Sequence, residues 1–107
     1  MICRKSGALE RLEAGGVPIG ILANAPYQSG TATLAPGDWL IIFTDGVVEA
    51  VNVRGEEYGE PRLLATLAAG SNLTPAALMQ SLMQSLDGFV GSTPQHDDMT
   101  CLLVKAV

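Results

Sequence analysis

Three aspartates lie where apolar segments end or begin. Asp45 follows the apolar run 39–43, and Asp97 and Asp98 come just before the run 100–104. Because neither run shows polar alternation, each is predicted to be a buried strand. Carboxylates that converge at the ends of buried strands are the ligands that a hard divalent cation such as Mg²⁺ or Mn²⁺ requires. Metal-assisted phosphate chemistry is therefore the leading hypothesis.

Each acidic motif also has a purely structural interpretation. Asp45-Gly46 between two apolar runs is a strong type I′ hairpin signal, which would pair 39–44 with 47–51. Glu49 would interrupt that second strand, so the local sequence leaves both structures open. The pair Asp97-Asp98 before a strand is typical of a solvated loop or of a protected strand edge. Neither motif is specific when it is taken alone.

Composition limits the classes of function. The chain has 107 residues, of which 48% are hydrophobic and 16% charged, so we expect one small folded domain. A net charge of −5, with six scattered basic residues, argues against binding to nucleic acid or to an anionic membrane.

Cys3 and Cys101 lack CxxC spacing and are predicted to be small hydrophobes in a reducing cytosol. Since no signal peptide or membrane span is recognisable, a cytoplasmic protein is expected.

The elements that must position the aspartates follow an α+β order. Ser6-Gly7 predicts an opening hairpin, Pro36-Gly37-Asp38 a tight turn, and Arg54-Gly55 another turn. Strands are predicted at 1–5, 8–12, 28–34, 39–43 and 99–104, with an irregular connection at 13–26. Helices are predicted at 60–69, ending at Gly70, and from Pro75 with Thr74 as N-cap, ending at Gly88 to Gly91. No linker is long enough to divide residues 1–107 into two domains.

The two motifs and the residues around them follow one longer pattern. It runs L-x-P-G-D-x-L-x-x-x-T-D-G-V-x-E-A-x-N-x-x-G-E-x-Y-G-x-x-R-L, and Q-x-D-D-M-T follows later in the chain. This order resembles the metal-dependent (PPM-type) protein serine/threonine phosphatases, most closely the bacterial branch typified by the stage II sporulation protein E phosphatase domain. Segment 12–22 also resembles the stretch that precedes these motifs in that branch. The matching residues are Leu34, Pro36, Gly37, Asp38, Leu40, Thr44, Asp45, Gly46, Val47, Glu49, Ala50, Asn52, Gly55, Glu56, Tyr58, Gly59, Arg62, Leu63, Gln95, Asp97, Asp98, Met99 and Thr100.

The resemblance implies a fold and a chemistry. The fold is half of an αββα phosphatase: a partial β-sandwich flanked by helices, with mainly antiparallel strands and two helices. The chemistry is a two-metal Mn²⁺ or Mg²⁺ centre that activates water to attack a phosphoserine or phosphothreonine, with no covalent enzyme intermediate. By position, Asp45 and Asp97 match metal ligands, and Asp98 would orient the loop or a metal-bound water. The other residues with implied roles are Gly46, which allows the turn that aims Asp45, and Thr44 and Thr100, which would support the ligating carboxylates.

Two further groups of residues receive structural interpretations. Glu49, Asn52, Tyr58 and Arg62 are predicted to join the segment after Asp-Gly to the following helix by hydrogen bonds. The single histidine, His96, is predicted to be a solvated loop residue rather than a general acid.

The N-terminal half of the family pattern, a D-x-x-G-H/M-G segment that carries further metal ligands, has no counterpart before Pro36. We therefore expect a C-terminal portion of a phosphatase domain that is nearly inactive alone and that self-associates or associates with the missing half. In this branch the substrate is a phosphorylated anti-sigma-antagonist regulator. The alternative is a non-catalytic interaction or self-association module derived from the same fold. A third interpretation is an unrelated small α+β domain whose Asp-Gly is only a turn.

Overall fold

The computed structural model describes residues 1–15 and 20–107, which form an antiparallel sheet and three helices. The sheet has four strands in the order β2-β1-β3-β4. Its strands are β1 (Ile2–Cys3), β2 (Leu9–Glu10), β3 (Trp39–Phe43) and β4 (Cys101–Lys105), and the helices are α1 (Asp45–Val48), α2 (Gly59–Ala69) and α3 (Pro75–Val90). This architecture confirms the α+β prediction. None of the helices within the described ranges is long and apolar enough to cross a membrane.

The N-terminal part of the chain is less regular than predicted. The opening hairpin is present, although each strand is only two residues long. The predicted strand at 28–34 is wrong, because the segment forms no ladder with any strand of the sheet. That segment is instead tied by single hydrogen bonds, such as the one from Arg4 Nη1 to the Thr33 carbonyl (2.6 Å). Residues 16–19 of the connection 13–26, and of the family-like segment 12–22, lie outside the described residues.

The turn before β3 is built around a buried aspartate. Gly37 has a φ of 91°, and the Asp38 N–H donates to the Ala35 carbonyl (2.9 Å), as expected for a type II turn with Pro36 at its second position. The Asp38 side chain accepts from the backbone N–H groups of Lys5 (2.8 Å) and Ala35 (2.9 Å) and from Arg4 Nη1 (2.9 Å). It thus fastens the β1–β2 turn to the start of β3.

The stability of the chain is expected to depend on Asp38 at acid pH. The backbone N–H groups of Lys5 and Ala35, together with Arg4, hold the pKa of the Asp38 carboxyl below its usual value. Because the folded pKa is lower than the unfolded one, the stabilisation is present above about pH 4 and is lost as pH falls through the folded pKa. Asp38→Asn should lower the urea midpoint at pH 7 and flatten its acid dependence. Asp87→Asn, at an exposed position of α3, should keep the wild-type slope; equal slopes in both variants would contradict this assignment.

The two long helices pack on one face of the sheet. Leu63 and Leu67 of α2 are buried, as are three leucines of α3. The core also contains Trp39 and Ile41 from β3 and Leu103 from β4. The predicted end of α2 at Gly70 is confirmed, whereas α3 passes through Gly88 and ends only at Gly91.

The N-terminus of α3 is capped as predicted, which allows a direct test of its stability. Thr74 Oγ1 accepts a hydrogen bond from the Ala77 N–H (3.2 Å), and Pro75 occupies the first turn. Thr74→Ala should therefore lower the free energy of unfolding by about 1 kcal/mol, measured by urea denaturation. Thr31→Ala, in the exposed connection before β3, is the control and should change it by less than about 0.5 kcal/mol. Equal losses in the two variants would show that the cap contributes nothing.

Strands β3 and β4 are not buried on both faces, contrary to the expectation from their apolar sequences. Trp39, Ile41 and Leu103 lie under the helices, whereas Ile42 and Leu102 on the opposite face are 53% and 51% exposed. The strand register places Ile42 opposite Leu102 and Leu40 opposite Val104. We call the face formed by these four residues the outer face. Its apolar composition explains why the strands lack sequence alternation, since the helices cover only one side of the sheet.

Candidate functional site

The segment after β3 forms a single helical turn rather than a hairpin. Helix α1 starts at Asp45, with the Glu49 N–H donating to the Asp45 carbonyl (2.8 Å). Residues 45–48 form this turn, so no strand at 47–51 folds back onto β3, whose partners are β1 and β4. Val47 is instead fully buried in the core. The hairpin interpretation is therefore excluded, and Asp45 stands exposed at the end of β3.

The two acidic motifs, separated by 54 positions in the sequence, are brought together by backbone contacts. The Thr44 N–H donates to the Thr100 carbonyl (2.9 Å), and the Thr100 N–H donates to Thr44 Oγ1 (3.0 Å). The Thr44 hydroxyl also reaches the Asp98 carbonyl (3.4 Å). Thr44 thus uses its side chain and its backbone, and Thr100 its backbone groups. Together these bonds hold Asp45 beside the loop that carries Asp97 and Asp98.

Gly46 makes this close approach sterically feasible. It is buried, and a Cβ built on it would overlap the carbonyl oxygen of Asp98 and lie 2.9 Å from the carbonyl carbon. Its φ is not positive, so the requirement for glycine comes from the neighbouring backbone and not from the turn geometry. The structure therefore explains why aspartate and glycine are adjacent here. Asp45 is exposed, and Gly46 leaves room for the backbone of Asp98.

The loop before β4 is stabilised by its own side chains. Gln95 Nε2 donates to the Asp97 carbonyl (2.7 Å), and Asp97 Oδ1 accepts from the Asp98 N–H (2.8 Å). The side chains of Asp97 and Asp98 are exposed, as is that of His96. The Asp98 backbone carbonyl, rather than its carboxylate, makes the contacts to Thr44 and Gly46.

Carboxylate oxygens at Asp45 and Asp97 fit the chemistry of a hard divalent cation. However, no group of three or more acidic, histidine or cysteine side chains gathers to hold a metal within residues 1–15 and 20–107. A two-metal centre shares several carboxylate ligands between its ions. The described residues therefore hold too few converging side chains for a complete coordination shell, and Asp45 and Asp97 remain candidate ligands.

A cavity that no sequence motif predicts lies directly beside these motifs. It has a volume of about 340 Å³ and is bounded by the end of α1, the end of α3 and loop 94–97. Glu49, Asp87, His96 and Asp97 line it, and no lysine or arginine does. Asp87 reaches it only through the packing of α3 against the rest of the fold. No local sequence signal could have identified it.

Of the four residues predicted to join the segment after Asp-Gly to α2, Tyr58 and Arg62 make such bonds, whereas the Asn52 side chain bonds only within its own turn, to Glu56 and to the Arg54 N–H. Arg62 Nη1 donates to the carbonyls of Glu57 (2.7 Å) and Tyr58 (2.9 Å), while its guanidinium lies 4.5 Å from the centre of the Phe89 ring. The buried Tyr58 hydroxyl bonds to Thr66 Oγ1 (3.0 Å) and Ser85 Oγ (2.7 Å). These contacts give Tyr58 and Arg62 structural roles close to α1.

Comparison with known proteins agrees with this arrangement. The family model described as stage II sporulation protein E matches residues 1–107. Protein IcfG of Synechocystis sp. is 30% identical over 103 residues, which are 96% of this chain and 16% of that protein. The solved SiaA-PP2C domain of Pseudomonas aeruginosa superposes with a TM-score of 0.65 at 25% identity, over 69% of this chain and 30% of the solved one. The chain thus spans less than a third of either relative.

These matches agree with the fold described above, an antiparallel sheet with helices on one face. They confirm the resemblance stated from the sequence and exclude an unrelated domain with an incidental Asp-Gly turn. The chain belongs to the stage II sporulation protein E (SpoIIE) family, and its fold is part of a phosphatase-type PP2C domain.

Proposed function

We propose that this chain contributes Asp45 and Asp97 to the metal centre of a metal-dependent protein serine/threonine phosphatase. The observation that carries the proposal is the direct bonding of Thr44 to Asp98 and Thr100, which holds the two motifs side by side. The remaining ligands would come from a further part of the phosphatase domain. The chain without that part is nearly inactive.

Each residue has a specific task in this proposal. When bound, Mn²⁺ or Mg²⁺ supplies an activated water and neutralises charge on the phosphate. Asp45 and Asp97 bind the cation, and Asp98 holds the loop through its backbone. Thr44 and Thr100 keep the two ligand segments in register, and Gly46 allows their contact.

The substrate that we propose is a phosphorylated bacterial regulator of the anti-sigma-antagonist type, acted on in the cytoplasm. The family membership supports this class, since the branch that the sequence pattern resembles acts on such phosphoproteins. The acidic cavity beside Asp97 offers space for the polypeptide around the phosphorylated residue. Because the cavity lining holds three carboxylates and no basic side chain, it favours a neutral or basic flanking side chain over an acidic one.

The proposal is tested by Mn²⁺ titration calorimetry on this chain beside the double variant Asp45→Asn/Asp97→Asn. We expect wild-type binding with a dissociation constant below about 1 mM, as for weak carboxylate sites, and its loss in the double variant. Glu57→Gln, an exposed carboxylate away from the site, is the control and should bind like the wild type. If neither the wild type nor the control binds Mn²⁺, the metal-ligand proposal for this chain is wrong.

A non-catalytic interaction module is the second candidate. The exposed apolar outer face and the lack of a third ligand among the described side chains favour it. The two candidates differ in a longer chain that contains the remaining family motifs. There, Asp45→Asn should abolish Mn²⁺-dependent release of phosphate from a phosphoserine peptide if the domain is an enzyme, whereas a module releases none in either form.

A further inference from the structure

A larger cavity, of about 550 Å³, lies on the helix-covered side of the sheet and is separate from the candidate metal site. It runs from the β1–β2 turn across Trp39 to the second half of α2 and its connection to α3. Its floor is mainly apolar, with Leu9, Leu64 and Ala68 among the lining side chains. We call this cavity the basic groove, because its only charged lining residues are basic.

The charge of the basic groove is opposite to that of the chain. The chain carries eleven acidic and six basic residues, yet Arg4, Lys5 and Lys105 line the groove and no acidic residue does. Both lysines of the chain are among them. Arg4 is already paired with Asp38 and Glu10, so the two lysines carry the uncompensated charge. A groove with this lining attracts an anionic ligand that also has apolar groups to bury.

Contacts restrict Lys105 through its ammonium group and Lys5 through its stem, both at the border of the groove. Lys105 Nζ donates to the Leu73 carbonyl (3.2 Å) and lies 5.3 Å from the centre of the Trp39 ring. The stem of Lys5 lies over Gly37, where a Cβ would approach Lys5 Cδ to 2.7 Å. Because both side chains are restricted, less side-chain entropy is lost when the ammonium groups bind an anion.

The geometry at one end of the groove favours a polypeptide as the ligand. Strand β2 forms one of the two edges of the described sheet, and Leu9 on it is 38% exposed beside the groove. An unpaired strand edge next to an apolar groove is a recurring way of binding a protein segment, with pockets for its side chains. We propose that the basic groove binds an apolar segment of a partner protein that carries acidic side chains.

Trp39 allows this proposal to be tested by fluorescence, because it is the single tryptophan of the chain and lines the groove. The probes are a twelve-residue peptide of leucine and glutamate, the same peptide with lysine in place of each glutamate, and decanoate. We expect the acidic peptide to change Trp39 emission saturably and to bind at least about tenfold more tightly than the basic peptide. Equal binding of the two peptides would overturn the proposal. Saturation by decanoate without binding of the acidic peptide would overturn it in favour of a small apolar acid.

Matched variants on α2 test whether the acidic peptide binds in the groove. Ala68 and Ala65 are both exposed positions of α2, but only Ala68 lines the groove, and helices accept Glu and Lys readily. Ala68→Glu should weaken acidic-peptide binding by about fivefold and Ala68→Lys should strengthen it, while Ala65→Glu should leave it unchanged. Circular dichroism checks that each variant is folded. If Ala65→Glu weakens binding as much as Ala68→Glu, the peptide binds elsewhere and the proposal fails.

Discussion

Replacing Gly46 with alanine is expected to destabilise the chain by about 3 kcal/mol, at the upper end of the range for overpacking. The added methyl group would overlap the backbone carbonyl of Asp98, and backbone cannot rotate away as a flexible side chain can. Either α1 or the loop before β4 must move. The loss is measured as the change in free energy of unfolding in urea.

Gly88→Ala is the matched control, and it should have the opposite sign. Gly88 lies within α3, and a Cβ there would meet nothing within 4 Å. Because alanine favours the helix, this variant should stabilise the chain by about 0.5–1 kcal/mol. Losses of similar size at both glycines would mean that the contact between Gly46 and Asp98 does not matter to the fold.

The Gly46 variant also links stability to the proposed function. The contact that alanine would break holds Asp45 beside the loop of Asp97, so Mn²⁺ affinity should fall in Gly46→Ala even though both carboxylates remain. Binding is compared under conditions where the variant is still folded by circular dichroism. Unchanged Mn²⁺ affinity in a folded Gly46→Ala variant would show that the contact does not position the ligands.

The elements predicted correctly are those whose signals are local. Pro36-Gly37 sets the turn before β3 by its own backbone preferences, and Thr74-Pro75 does the same for the start of α3. The leucine spacing predicted helices α2 and α3, and the leucines at that spacing form the buried face of each helix. In each case a few adjacent residues determine the outcome, so the sequence is sufficient.

The elements predicted wrongly, or left open, depend on what lies beside them. Segment 28–34 alternates like a strand, but it makes isolated contacts such as the Arg4 bond to the Thr33 carbonyl and no strand ladder. Asp45-Gly46 begins a helical turn instead of a hairpin, and Val47 of that turn packs into the core between the helices and the sheet. The apolar runs of β3 and β4 predicted burial on two faces, whereas the described helices cover one. These outcomes are set by contacts between distant segments.

The same distinction applies to the candidate site. The family pattern indicated that Asp45 and Asp97 belong together, but not that the contact is made by Thr44, Gly46 and the backbone of residues 98–100. The acidic cavity and the basic groove are each lined by segments far apart in the chain. Charged residues are scattered along the sequence, and the fold brings acidic side chains together around one cavity and basic side chains around the other.

The outer face is expected to cause reversible self-association of this chain at high concentration. Ile42 and Leu102 form a directly opposed pair across β3 and β4, and both are about half exposed. The half-buried Leu40 and the exposed Val104 form the next pair on this face, which extends the apolar surface along the two strands. Burying such a surface against a second copy removes it from water, which favours association. Sedimentation velocity over a range of protein concentrations measures the dissociation constant.

The double variant Ile42→Thr/Leu102→Thr is designed to remove this association without unfolding the sheet. Threonine retains the branched side chain that strands favour, and opposed threonines form a favourable cross-strand pair. Because two large apolar side chains are lost from the interface, the dissociation constant should rise by at least about tenfold, while the unfolding midpoint stays close to that of the wild type.

Val53→Thr separates this effect from general surface hydrophobicity. Val53 is 74% exposed but lies in the turn before α2, away from the sheet. The control should therefore associate like the wild type. A wild-type chain that stays monomeric at all concentrations would contradict the prediction, and so would a control that loses association as fully as the double variant. If the double variant alone becomes monomeric, the sheet surface opposite the helices is the part of this fold that requires a partner.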